Sequence, residues 1–393
     1  MIVVFILTLV AGGCGPAAPK ATDDAEEQVG EPYKIGALLA ITGGMSSLGV
    51  PERNTLEMLE EKVNTSGGIE GPDGLMHPLE VIIYDTESQE SKAVIAAKKL
   101  ISQDQVSAII GPTTSGNSMA VLDTIQRAEI PMISMATSAD IVQPVEERKW
   151  SFKVTWLDSI MNEKIARYLQ ARGLSKVGLL IANNAFGQSG LTALEGVAGQ
   201  YDLEIVAREK YEKGDTDMTA QLTKIKAAGA EVLVIWGTLP EMAIASRNVY
   251  DLGLEIPKFA SGGAAHPKYV ELAGLEAVEG TLRAAGKFEV ADQLPDDDPT
   301  KQNILNYQAQ YEAKFDETAN NFGGHAWDAF HYVVQAMERG GNDPAAIRDE
   351  LEKIENFVGV NGVFTTSPED HVGMSVESIV ISQFKDGAYQ FVE

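Results

Sequence analysis

Cysteine is nearly absent: Cys14 is the only one in 393 residues. Beyond it the chain has no thiol for a disulfide framework, a nucleophile or a redox centre. Positive charge is also scarce. Lys and Arg number 31 against 57 Asp and Glu, a formal charge of -26. That balance argues against nucleic acid as a partner and against adsorption to an anionic membrane surface. No apolar run is long enough to span a bilayer. There is no Gly-x-Ser-x-Gly elbow, no His-x-x-x-His pair and no cysteine pair with metal spacing. His325 and His331 share a predicted helix without a third ligand. Neither enzyme chemistry, a metal nor another cofactor is expected.

What is present is the composition of a folded protein, 44% hydrophobic and 22% charged. At this length one core is too few, and two lobes are expected. At the front, Met1–Val10 is apolar and Ala11-Gly12-Gly13 is small. Residues 1–13 therefore read as a secretory signal. The run ending at Cys14 is similar to a bacterial lipobox, which would make Cys14 a lipidation site. Two features depart from that pattern: no Lys or Arg precedes the apolar run, and Ala11 stands where Leu is usual. A chance cysteine in a plain signal peptide is the alternative. Residues 14–32 are rich in Ala, Pro, Asp and Glu without apolar periodicity, the composition of a flexible tether. Together these features predict an extracytoplasmic protein held at the outer face of a membrane.

From Tyr33 onward, apolar strand-like runs alternate with helical stretches. Strands are expected at Tyr33–Ala40, Val81–Tyr84, Val106–Ile110 and Ile130–Ser134. A second series follows at Val177–Ala182, Glu204–Ala207, Val232–Trp236, Lys258–Ala260 and Thr281–Ala284. Such alternation predicts an α/β protein with parallel sheets covered on both faces. Three further helices, Ile304–Phe315, Ala326–Arg339 and Ala345–Ile354, have no strands of their own and must cover a sheet made earlier. The expected lobes are 33–153 plus 286–358 and 154–285 plus 359–393, joined by a three-crossover hinge that can close around a ligand.

Two hydroxyl-rich loops stand out, Gly111-Pro112-Thr113-Thr114-Ser115-Gly116 and Ser134-Met135-Ala136-Thr137-Ser138. Each follows a strand and leads toward a helical stretch, so both are expected at one edge of the ligand crevice of an open α/β sheet. Hydroxyls and free amides at a helix start suit a carboxylate. Each loop taken alone could equally be an ordinary N-cap and turn.

The order of several motifs resembles the type I periplasmic binding proteins of branched-chain amino acid ABC transporters. They include Tyr33-Lys34-Ile35-Gly36, Asn64-Thr65-Ser66-Gly67-Gly68-Ile69, Ile109-Ile110-Gly111-Pro112 and Gly214-Asp215-Thr216-Asp217. Trp236-Gly237, Trp327-Asp328-Ala329 and the Ser367–Gly373 run continue the series. The resemblance implies two Rossmann-like lobes, a carboxylate-bearing ligand trapped between them, and delivery by a monomer to an ABC permease. It also implies that Ser115 and Ser138 grip the ligand carboxylate, with the Ala136 carbonyl and adjacent Thr137 completing that wall. In the second lobe the chain departs from the family. Gly263 falls near the position of a Glu that neutralises a ligand ammonium, leaving Asp158, Asp217 and Glu241 as candidate substitutes. Phe186, Thr238 and Leu48 stand where Tyr is common, and Trp236 could stack on the ligand. Ligand choices left open are branched-chain or other amino acids and aliphatic or aromatic acids. A lipoprotein that senses such a ligand for a membrane receptor is the alternative function.

Overall fold

A computed structural model describes residues 29–393. The signal, the Cys14 lipidation site and nearly all of the 14–32 tether lie outside the described residues. Strands β1 (Tyr33–Leu39), β2 (Leu79–Asp85), β3 (Ala108–Ile110), β4 (Met132–Ser134) and β5 (Ser151–Lys153) form one parallel sheet. Its order is β2-β1-β3-β4-β5. The second sheet begins with β6 (Lys176–Ala182), β7 (Glu204–Tyr211), β8 (Val232–Trp236), β9 (Lys258–Ala260) and β10 (Leu282–Ala285). These five repeat the same pattern, β7-β6-β8-β9-β10. Two tail strands, β11 (Val380–Lys385) and β12 (Ala388–Phe391), extend it antiparallel beyond β10.

Helices flank both sheets, as the βαβ alternation requires. Around the first lie α1 (Ser46–Thr65), α2 (Glu90–Lys99) and α3 (Ser115–Ala128). Around the second lie α4 (Asp158–Ala171), α5 (Ala185–Ala198), α6 (Thr219–Ala227) and α7 (Glu241–Asp251), with short α8 (Lys268–Ala273) and α9 (Leu275–Val278). The late helices are α10 (Lys301–Phe315), α11 (Asn321–Gly340) and α12 (Pro344–Leu351). α11 packs on β3, β4 and α1, α12 packs on α11, and α10 is hydrogen-bonded to α1 through Thr55–Tyr307 (2.8 Å) and Asn54–Tyr311 (3.1 Å). β5 interrupts the expected pattern. Its Ser and Lys hide a strand in which all three residues are buried.

Three connections run between the lobes: β5 to α4, β10 to α10, and α12 to β11. One indole joins them. Trp156 lies on the first connection and its Nε1 donates to the Asn361 carbonyl on the third (2.9 Å). On the second, a Cβ at Gly286 would sit 2.1 Å from the Trp156 ring, so only glycine lets the backbone approach so closely. The third connection is also pinned to α11. The buried Asp328 carboxylate accepts the Val360 and Asn361 amides (2.7 and 2.8 Å) and the Asn361 side-chain amide (2.7 Å). Asp328→Ala leaves these donors unpaired and is expected to lower stability by about 3 kcal/mol in chemical denaturation. Asp328→Asn, which keeps an acceptor, should lose clearly less; equal losses would mean that the carboxylate does not hold the connection.

Candidate functional site

The two hydroxyl-rich loops meet at the carboxyl end of the first sheet. After β3 the chain enters α3, where the Thr114 hydroxyl caps the helix by accepting the Asn117 amide (3.3 Å). The first-turn amides of Ser115 and Gly116 have no partner within a helix at these positions. After β4, the Met135 amide donates to the Pro112 carbonyl (3.2 Å) and the Ser138 amide to Ser115 Oγ (3.4 Å), tying the loops together. The Ala136 carbonyl accepts Thr155 Oγ1 (2.7 Å).

These loops form one wall of a narrow interlobe cavity of about 70 Å³. Thr113, Thr114, Ser115, Met135, Ala136 and Thr137 line it from the loops, with Leu48 from α1. The start of α11 adds Asn321, Phe322 and His325. Opposite stand Met161, Phe186, Thr238, Gly262 and Gly263, and Trp156 closes the hinge side.

Of the residues expected from sequence, Ser115, Ala136, Thr137, Phe186, Thr238 and Gly263 come together here. Ser138 and Trp236 do not line the cavity. Ser138 is buried behind the wall, where its carbonyl accepts Lys153 Nζ (3.1 Å). Trp236 is buried beneath Phe186, its ring centroid 5.8 Å away. Sequence reasoning passed over Trp156, Met161, Asn321, Phe322 and His325. The Asn321 and His325 spacing, i and i+4 on one helix, was the available signal that both face the same way.

No Asp or Glu lines the cavity. Asp158 is the first residue of α4 rather than its cap, and it is fully buried. Burial raises the Asp158 pKa and lowers that of Lys153, while each charge opposes the other's shift. Asp217 is an exposed acceptor for the Thr219 amide (2.8 Å), and Glu241 accepts the Gly214 amide (2.8 Å). Glu52, behind Thr113, accepts that residue's hydroxyl, and burial pushes its pKa well up. His325 is buried between Trp156 and Phe322, at ring-centroid distances of 5.5 and 5.7 Å. Neither ring nitrogen has a partner among the described residues. Burial, aided by the Lys153 charge, depresses its pKa to about 3, so the imidazole is neutral at physiological pH.

The profile of the periplasmic binding protein family matches residues 32–388. The chain belongs to that family. This periplasmic binding protein is 25% identical over 360 residues to Leu/Ile/Val-binding protein homolog 3 of Brucella melitensis, covering 90% of this chain and 91% of that one. An extracellular ligand-binding receptor from Rhodopseudomonas palustris HaA2 superposes with a TM-score of 0.84 at 27% identity, over 92% of this chain and 99% of the other. The branched-chain amino acid transporter substrate binding protein LivJ of Streptococcus pneumoniae, solved in complex with isoleucine, gives 0.79 at 25% identity over 91% and 98%. The family is extracytoplasmic, and among the described residues no helix is long and apolar enough to cross a membrane.

The depressed His325 pKa has a consequence for stability. Between about pH 6.5 and 3 the unfolded chain binds a proton that the native state refuses, so stability falls as pH drops through that window. The slope is at most about 1.4 kcal/mol per pH unit. His325→Leu removes this contribution. Urea denaturation at pH 7.5 and 5 should show the variant losing less stability on acidification than wild type; equal losses would mean that the imidazole protonates inside the fold.

Proposed function

We propose that this protein captures a small carboxylate-bearing solute in its interlobe cavity and presents it to an ABC permease in the membrane. The solute leaves unchanged, so the protein acts as a monomeric carrier rather than an enzyme. The observation that carries the reading is the asymmetry of the cavity. One wall offers the Ser115 hydroxyl and the amides at the start of α3, and the rest is mostly apolar, with Leu48, Met135, Trp156, Met161, Phe186 and Phe322. A helix start with free amides favours an anion, and the apolar remainder favours a hydrocarbon tail. The names of relatives, a leucine-, isoleucine-, valine-, threonine- and alanine-binding protein and a homolog of a Leu/Ile/Val-binding protein, support branched-chain amino acids as candidates beside aliphatic and aromatic acids.

In this reading the lobes divide as 33–153 plus 286–358 and 154–285 plus 359–393. They close on the ligand because it binds the closed form more tightly. Cys14 carries the lipid that keeps the carrier beside its permease. Ser115 and Thr137 face the carboxylate directly, while Ser138 holds Ser115 in place through its amide and takes the Lys153 charge on its carbonyl.

The test is thermal unfolding with amino, aliphatic and aromatic acids. A true ligand at 100 times its Kd should stabilise the protein by about 2.7 kcal/mol. Ser115→Ala combined with Thr137→Val should weaken that ligand tenfold or more, with the unliganded melting temperature little changed. Unchanged affinity in the double variant would remove the carboxylate from these loops.

A further inference from the structure

The cavity offers a negative group much more than it offers a positive one. Around the loops an anion meets the Ser115 hydroxyl and the first amides of α3, with the Thr137 hydroxyl between the cavity and Asp158. The unpartnered His325 ring adds one N–H donor in its neutral form. A cation finds only neutral acceptors, the unpartnered Asn321 Oδ1 and one His325 nitrogen, and no negative charge. Every cavity-lining side chain is uncharged at neutral pH.

The acids around the cavity do not line it. Glu52 is buried against the Thr113 hydroxyl. Asp158 is buried outside the lining, where burial favours its neutral form and the Lys153 charge opposes that shift. Glu241 is held by the Gly214 amide beside Tyr211. On the second-lobe wall no side chain fits at Gly263, where a Cβ would stand 2.6 Å from the Gly237 carbonyl oxygen and 3.2 Å from Thr238 Cα. The Ala136 carbonyl, the acceptor nearest the anion donors, already takes the Thr155 hydroxyl at 2.7 Å. An ammonium enclosed here would lose its water and gain no counter-charge.

We propose that the physiological ligand is a carboxylate lacking an ammonium group, an aliphatic or aryl acid whose carboxylate lies at the start of α3 and whose body packs on Phe186, Trp156 and Phe322. This rests on the solute-binding reading above and narrows its ligand class. The carboxylate draws on donors the fold leaves free, and the hydrocarbon body replaces water against the aromatic wall. His325, a lining residue whose two ring nitrogens are buried without partners, is available to hydrogen-bond the ligand at that end.

Matched pairs differing only in the amino group test the proposal: alanine and propanoate, leucine and 4-methylpentanoate, phenylalanine and 3-phenylpropanoate, tryptophan and indole-3-propanoate. Binding of each to the full chain is measured by calorimetry at pH 7.5. In the pair that fits the cavity, the deaminated acid should bind at least tenfold more tightly than the amino acid. Equal or tighter binding of the amino acid overturns the inference and leaves the carboxylate reading standing. Binding of no member of any pair overturns both. For the best acid, His325→Leu should weaken binding at least threefold with no new preference for the amino acid; a gain in amino-acid binding in that variant would also count against the proposal.

Discussion

The packing of the Trp156 indole links the hinge to the site. Its edge reaches the glycine of one connection, its nitrogen bonds a carbonyl of another, and its own backbone belongs to the third. A face of the same residue borders the cavity. Large aromatic side chains carry much of the packing energy wherever they are buried. Here that energy is placed where the three connections converge. A ligand that presses on the cavity wall therefore presses on the element that sets the angle between the lobes.

Around this hub the interior handles charge by pairing or neutralising it. Lys153 and Asp158 are buried where each feels the other's charge, and Arg283 faces Glu289 within the second lobe (3.4 Å). Buried charge without a partner is strongly unfavourable, which is why such groups occur together or lose their proton. His325 follows the second course. The cavity that results is polar through hydroxyls, amides and a neutral ring, so a ligand must bring its own charge to the donors that await it. The strand order of the first sheet puts the hydroxyl and amide donors at the loops after its third and fourth strands, the position where open α/β sheets bind ligands.

Much of this was visible in the sequence because the physics behind it is local. Apolar runs such as Val232–Trp236 and Lys258–Ala260 are strands with the bounds the sequence suggests, and the two loops meet as their hydroxyl content and spacing implied. Other features depend on tertiary placement. β5 was hidden because Ser151 and Lys153 do not look like core residues, yet both are buried in the sheet. Asp158, a candidate counter-charge in the sequence, is instead buried in the first turn of α4 and does not line the cavity. Ser138 and Trp236 carry the right chemistry but stand one layer behind the wall, where strand-end geometry alone cannot separate contact from support. His325 reads as an ordinary helical histidine until α11 is seen to open onto the cavity.

The shared use of Trp156 separates two properties that are usually treated as one. How tightly a molecule binds depends on its contacts with the wall; whether the carrier can hand it over depends on the lobe angle that the same indole transmits. A compound slightly too bulky could sit in the cavity with good affinity and still wedge the hinge short of the shape a transporter accepts. Such a molecule would behave as a plug, occupying the carrier without becoming cargo, and selectivity for transport would then be stricter than selectivity for binding.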